Sequence, residues 1–156
     1  MSKLLTNEDL LNPGGDAMPA REAIELTRRG QFKEAIKMFE HGMCFVNKPV
    51  ATSYYALCLA VIERDYEHAF ELSLIAVKRE PGNPDLYLNI AKILLLADRR
   101  SNAVKAIMKG LVVDNEHKGL IKILKKLGIR QKRLVGSLPR SHALNRFAGR
   151  VSHRVK

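Results

Sequence analysis

From about residue 17 to residue 127, apolar positions recur three and four residues apart in short runs, and each run is closed by turn residues. That is the pattern of consecutive amphipathic helices. The runs also repeat. Ala35, Ala69 and Ala103 are spaced 34 residues apart, and Gly42, Ala76 and Gly110 keep the same interval. Small residues at fixed helical positions mark places where a second helix must come close, and a period of this length predicts an array of helical repeats.

Local signals divide each unit into a first helix (A) and a second (B). In the first unit, helix A runs from about Met18, with Pro19 at an opening position that needs no N–H. Ala23 and Leu26 face the partner helix, and Arg28, Arg29 and Gly30 end the run. Helix B resumes at Phe32 with Ala35, Ile36, Phe39 and Met43 on one side, until Asn47, Lys48 and Pro49 break it. The second helix A spans about residues 50–63. A strict 34-residue offset puts Leu57 at its small-residue position, whereas a one-residue slide puts Cys58 there and turns Tyr54, Leu57 and Val61 inward. The slide is preferred. Asp65 is the expected N-cap of the next helix, which carries Tyr66, Ala69, Leu72 and Ala76. In the third unit Asn83 caps, Pro84 opens, and Tyr87, Ile90, Ala91 and Leu94 form one stripe, followed by Ala103, Ile107, Gly110 and Leu111 in helix B. Asn115 is expected to start a last helix with Leu120, Ile123, Leu124 and Leu127 on one face and Lys118, Lys122, Lys125 and Lys126 elsewhere, ended by Gly128. A repeat array leaves its final apolar surface bare, so such a one-sided helix is expected there. The implied organisation is an arm (1–16), three repeats (17–48, 49–82 and 83–115), a capping helix (116–127) and a tail (128–156).

Aligned on the first rung, Phe32, Ala35, Ile36 and Phe39 correspond to Tyr66, Ala69, Phe70 and Ser73, and to Arg100, Ala103, Val104 and Ile107. This arrangement resembles the tetratricopeptide repeat. The resemblance covers about residues 17–127 and departs from the family pattern at Pro19, where an aromatic is usual, and at Ser73, where a large apolar residue is usual. It implies an all-α chain, a right-handed α-solenoid of helix–turn–helix repeats, whose A helices line a concave face that binds a polypeptide segment. The residues placed on that face are Arg21, Ile24 and Arg28, then Tyr54, Tyr55, Leu59 and Ile62, then Leu88, Asn89, Lys92 and Leu95. Some family members grip a partner's C-terminal carboxylate with Lys, Asn and Arg side chains. This chain has Ala20, Ile24, Asp85 and Asn89 at those positions, so that clamp is not expected.

Charge adds a second division. Residues 1–116 hold 15 Lys/Arg against 16 Asp/Glu, while residues 117–156 hold 12 Lys/Arg and no acid. The tail is cationic through Arg130, Lys132, Arg133, Arg140, Arg146, Arg150 and Arg154, with Leu144 and Phe147 between them. Ser141 is placed to cap a short amphipathic helix over about residues 141–153. A basic helix of this kind suits an anionic membrane, nucleic acid, or a protein surface including the chain's own groove, which would be self-association. Chemistry is sparse. His41, His68 and His117 have no ligand partner one helical turn away, no glycine-rich phosphate loop follows a strand, and no nucleophile is paired with a base. No cofactor, metal or enzymatic activity is therefore expected. Cys44 and Cys58 are expected to be buried, reduced thiols. No apolar run reaches the length of a membrane span, and the first eleven residues lack the unbroken apolar stretch of a secretory signal, which predicts a cytoplasmic protein.

These features predict a non-catalytic scaffold that binds a protein or peptide. One alternative is a tether whose tail grips membrane or nucleic acid while the repeats recruit a protein. Another is a small secretion-type chaperone of three repeats; such proteins tend to be acidic, and the cationic tail argues against it.

Overall fold

The computed structural model describes residues 17–42 and 47–128, and all regular structure among them is α-helical. The helices are α1 (Ala17–Arg28), α2 (Phe32–Gly42), α3 (Pro49–Ile62), α4 (Tyr66–Arg79), α5 (Pro84–Leu96), α6 (Arg100–Val113) and α7 (Lys118–Lys126). The arm (1–16), Cys44, Met43 and the tail with its expected helix over 141–153 lie outside the described residues. The chain divides between Glu80 and Pro81 into two compact units, so that α1–α4 belong to one and α5–α7 to the other.

Helix starts follow local chemistry. Pro49 and Pro84 stand at the first turns of α3 and α5. The Asp65 carboxylate accepts from the backbone N–H of His68 at 3.2 Å, and the Asn83 side chain accepts from the N–H of Asp85 at 3.1 Å. The turns within the helix pairs share one backbone feature. Gly30, Arg64 and Asp98 all have positive φ, at 83°, 60° and 56°. They too are 34 residues apart. At the first and third, the hydrogen bonds match: Gln31 N–H bonds to Leu26 O, and Arg99 N–H bonds to Leu94 O, closing each helix in a Schellman motif.

In the first unit α3 is the centre, packed against α1, α2 and α4. From Ala51 to Ala60 every side chain but that of Tyr55 is buried. This removes the contrast on which the register choice rested, since Leu57 and Cys58 are both interior. The contact itself is with Cys58: its Sγ lies 3.2 Å from the Thr27 hydroxyl of α1, which also donates to the carbonyl of Ala23. The ladder residues Ala35, Ala69 and Ala76 are fully buried. Phe39 fills the interior of α2, whereas the equivalent Ser73 of α4 is equally buried and its hydroxyl has no hydrogen-bond partner among the described residues.

In the second unit α5 and α6 pair along their lengths and α7 packs on α6. Gly110 is where they converge. A Cβ added there would lie 2.8 Å from Tyr87 Cβ and 2.6 Å from Leu120 Cδ1, so only a glycine permits the approach. The start of α7 differs from expectation. Asp114 turns its carboxylate to the N–H of Glu116, and the helix begins after His117, not at Asn115. His117 Nδ1 accepts from the N–H of Leu120, which leaves Nε2 to face the Asp85 carboxylate of α5 at 3.2 Å. At the other end of α7, the Arg100 guanidinium donates to the carbonyl of Leu127 at 2.6 Å.

Candidate functional site

The A helices of the first unit present a strip of mixed chemistry. Arg21, Ile24 and Arg28 sit three and four residues apart on α1, with both arginines exposed and Ile24 half-buried. The strip is tied to α3 through one side chain. Arg28 Nε donates to the Tyr54 hydroxyl at 3.0 Å, its carbon Cζ stands 5.4 Å from the ring centre, and Nη1 reaches Glu25 at 2.8 Å. Arg28 is thus held in place by Tyr54 and Glu25 at the edge of the strip. Ile62, the last residue of α3, is also exposed.

Three of the seven residues expected on this face of the first unit are placed otherwise. Tyr54 retains 2% of its surface and Leu59 4%, because α3 is enclosed by helices on three sides. Tyr54 contributes its hydroxyl to Arg28 and not its ring to a partner. Tyr55, about 100° further round the helix, is edge-on to Phe39 of α2 with ring centres 5.9 Å apart. Burial, followed by the charges of Glu40 and Glu63, pushes its phenol above the usual range. Tyr55 is therefore part of the α2–α3 packing.

The second unit shows the same reduction. Leu88 is 9% exposed and Asn89 0%. The cause for Leu88 is α7: a Cβ at Gly119 would lie 2.8 Å from Leu88 Cδ2, so the start of the capping helix covers it. Lys92 and Leu95 remain half-exposed on α5, and Leu96, absent from the expected set, is more exposed than either. Leu96 was legible only as one of three consecutive leucines, and periodicity does not say which of them faces outward. The accessible candidates are Arg21, Ile24, Arg28 and Ile62 in one unit and Lys92 and Leu95 in the other. The tail candidates Arg130 to Arg154, with Leu144 and Phe147, lie outside the described residues.

Cys58 is interior, and burial pushes its thiol up to about 11, with Thr27 pulling weakly the other way. A thiol so raised is protonated near neutrality and is a poor nucleophile. No helix among the described residues is long and apolar enough to cross a membrane. No protein-family model matches the chain, and no curated protein matches it.

Proposed function

We propose that the chain is a non-catalytic scaffold of tetratricopeptide-like repeats, a right-handed α-solenoid, that binds a polypeptide segment on its A helices. The observation that carries this reading is the common 34-residue period of two separate features: the buried small residues, Gly110 with its close approach among them, and the left-handed turn residues Gly30, Arg64 and Asp98. Repeating units that share a turn geometry stack with a constant rotation and expose one kind of helix on one side. The accessible residues there combine aliphatic surface with cations, a composition suited to a peptide carrying apolar anchors and acidic flanks. A concave protein-binding surface also requires no metal, cofactor or nucleophile.

A random peptide library panned against the immobilised full-length protein tests this. Enriched peptides are expected to lose at least about tenfold in affinity for a variant carrying Arg21→Glu and Ile24→Ser, the worth of one moderate contact. Failure to enrich any peptide, or equal binding by the variant, would refute the assignment.

A further inference from the structure

The four lysines of α7 share one side of the helix. At 100° per residue, Lys118, Lys122, Lys125 and Lys126 fall within an arc of about 100°, and the first and last are about 12 Å apart along the axis. All four are exposed. The opposite side is anchored, with Leu120 0% and Leu124 1% exposed. The orientation of the stripe is thus fixed by packing, by the His117–Asp85 pair at the start of α7 and by Arg100 at its end. None of the four lysines forms an ion pair with another described residue. Glu116, just before the helix, is the last acid in the sequence.

Helix stability does not account for this arrangement. Lys125 and Lys126 suit the negative end of the helix dipole, but Lys118 sits in the first turn, where a cation is unfavourable and an acid is preferred. Lys118–Lys122 and Lys122–Lys126 are like-charge pairs one turn apart, and such pairs destabilise a helix. Residues that work against their own helix indicate a role outside it.

We propose that this face of α7 binds the phosphate backbone of duplex nucleic acid, without sequence selectivity. A duplex carries about one charge per 1.7 Å of axis over its two strands, so 12 Å of duplex holds about seven phosphates against the four lysines. Lysine acts as a point charge with no fork to read a base edge, which makes the contact one of backbone and not of sequence. α7 offers no aromatic ring on which single-stranded bases could stack. A membrane is a poorer fit, because an interfacial helix inserts its apolar side and that side of α7 is committed to the core. Most protein surfaces mix both signs of charge. A cationic helix followed by a further eight Lys/Arg and no acid complements a polymer that is uniformly negative.

The test is fluorescence anisotropy of the full-length protein with a labelled duplex DNA of about 25 bp and arbitrary sequence, across about 50–200 mM salt. The partner variant carries Lys118→Gln, Lys122→Gln, Lys125→Gln and Lys126→Gln, which keeps helix propensity nearly constant. Four lost phosphate contacts reduce the log–log salt slope by about 3–4, so wild-type affinity should fall on the order of 10²-fold more than the variant's over that range. The matching set of Lys→Arg changes should retain the wild-type slope. Peptide binding through Arg21 and Ile24 should be the same in all three proteins, so this proposal and the peptide-binding one can fail separately. An absence of duplex binding at about 50 mM salt, or a slope unchanged by Lys→Gln, would overturn the inference. So would preference for phosphatidylserine vesicles at equal phosphate concentration, or competition by poly-glutamate as effective as that by unlabelled duplex.

Discussion

Replacing Gly110 by alanine adds one carbon at the point where α5, α6 and α7 converge. The new Cβ would meet Tyr87 Cβ at 2.8 Å and Leu120 Cδ1 at 2.6 Å, against the 3.4–4 Å of ordinary contact. Tyr87 Cβ is one bond from the α5 backbone and cannot be moved by a rotamer change, and Leu120 is fully buried with nowhere to turn. The helices themselves must therefore separate. Overpacking of this kind costs about 1–3 kcal/mol, and the better helix propensity of alanine returns about 1. The expected net loss is about 1–2 kcal/mol at the upper, backbone-limited end of that range. Gly119→Ala is the control. Its Cβ also comes within 2.8 Å of Leu88 Cδ2 and 3.2 Å of His117 Cε1, but these are ends of side chains, so a smaller clash is offset by the same propensity gain and the change should stay within about 0.5 kcal/mol of wild type. Equilibrium urea unfolding measures both, and in thermal unfolding the melting temperature of Gly110→Ala should be lower by about 2–4 °C per kcal/mol for a chain of this length. A Gly110→Ala protein as stable as wild type would refute the close approach and with it the physical meaning of that rung.

Two further predictions concern the first unit. Because the Cys58 thiol is raised to about 11 in the folded protein, the native state keeps a proton that the unfolded chain gives up near its ordinary value of 9. Stability from this group is complete below pH 9 and is lost between pH 9 and 11, by up to about 2–3 kcal/mol. Urea midpoints of wild type and Cys58→Ala should therefore converge as pH rises through that window, and parallel curves would contradict the burial of the thiol. Ser73 buries a hydroxyl that has no hydrogen-bond partner among the described residues. Ser73→Ala is expected to be neutral or stabilising by up to about 1 kcal/mol, since it removes an unsatisfied polar group and improves helix propensity. A loss above about 0.5 kcal/mol in the same assay would mean that the hydroxyl is satisfied.

Most helix boundaries were legible because they are local. Proline at an opening turn, a capping carboxylate or amide, and a residue in the left-handed turn act within four residues of themselves, and Asp65, Asn83, Pro84 and Gly30 each do what their chemistry implies. The exception, the start of α7, was decided by competition: Asp114 engages Glu116, and the cap passes to His117 because its ring also meets Asp85 on another helix. The left-handed positions of Arg64 and Asp98 carried only the 34-residue interval from Gly30 as a signal, since neither residue type demands that conformation.

The candidate surface was less legible. Periodicity reveals a buried side only when the other side is polar, and α3 is enclosed by three neighbours, so its composition could not separate Tyr54, which meets Arg28, from Tyr55, which meets Phe39. Leu88 was hidden by α7, a neighbour some thirty residues further along the chain. The sequence by itself determined the helices, their period and the location of the excess charge, because those follow from short-range hydrogen bonding, spacing and composition. Only the tertiary structure decided which side chains remain in water and which way the lysines of α7 face, because both depend on what packs against the far side of each helix.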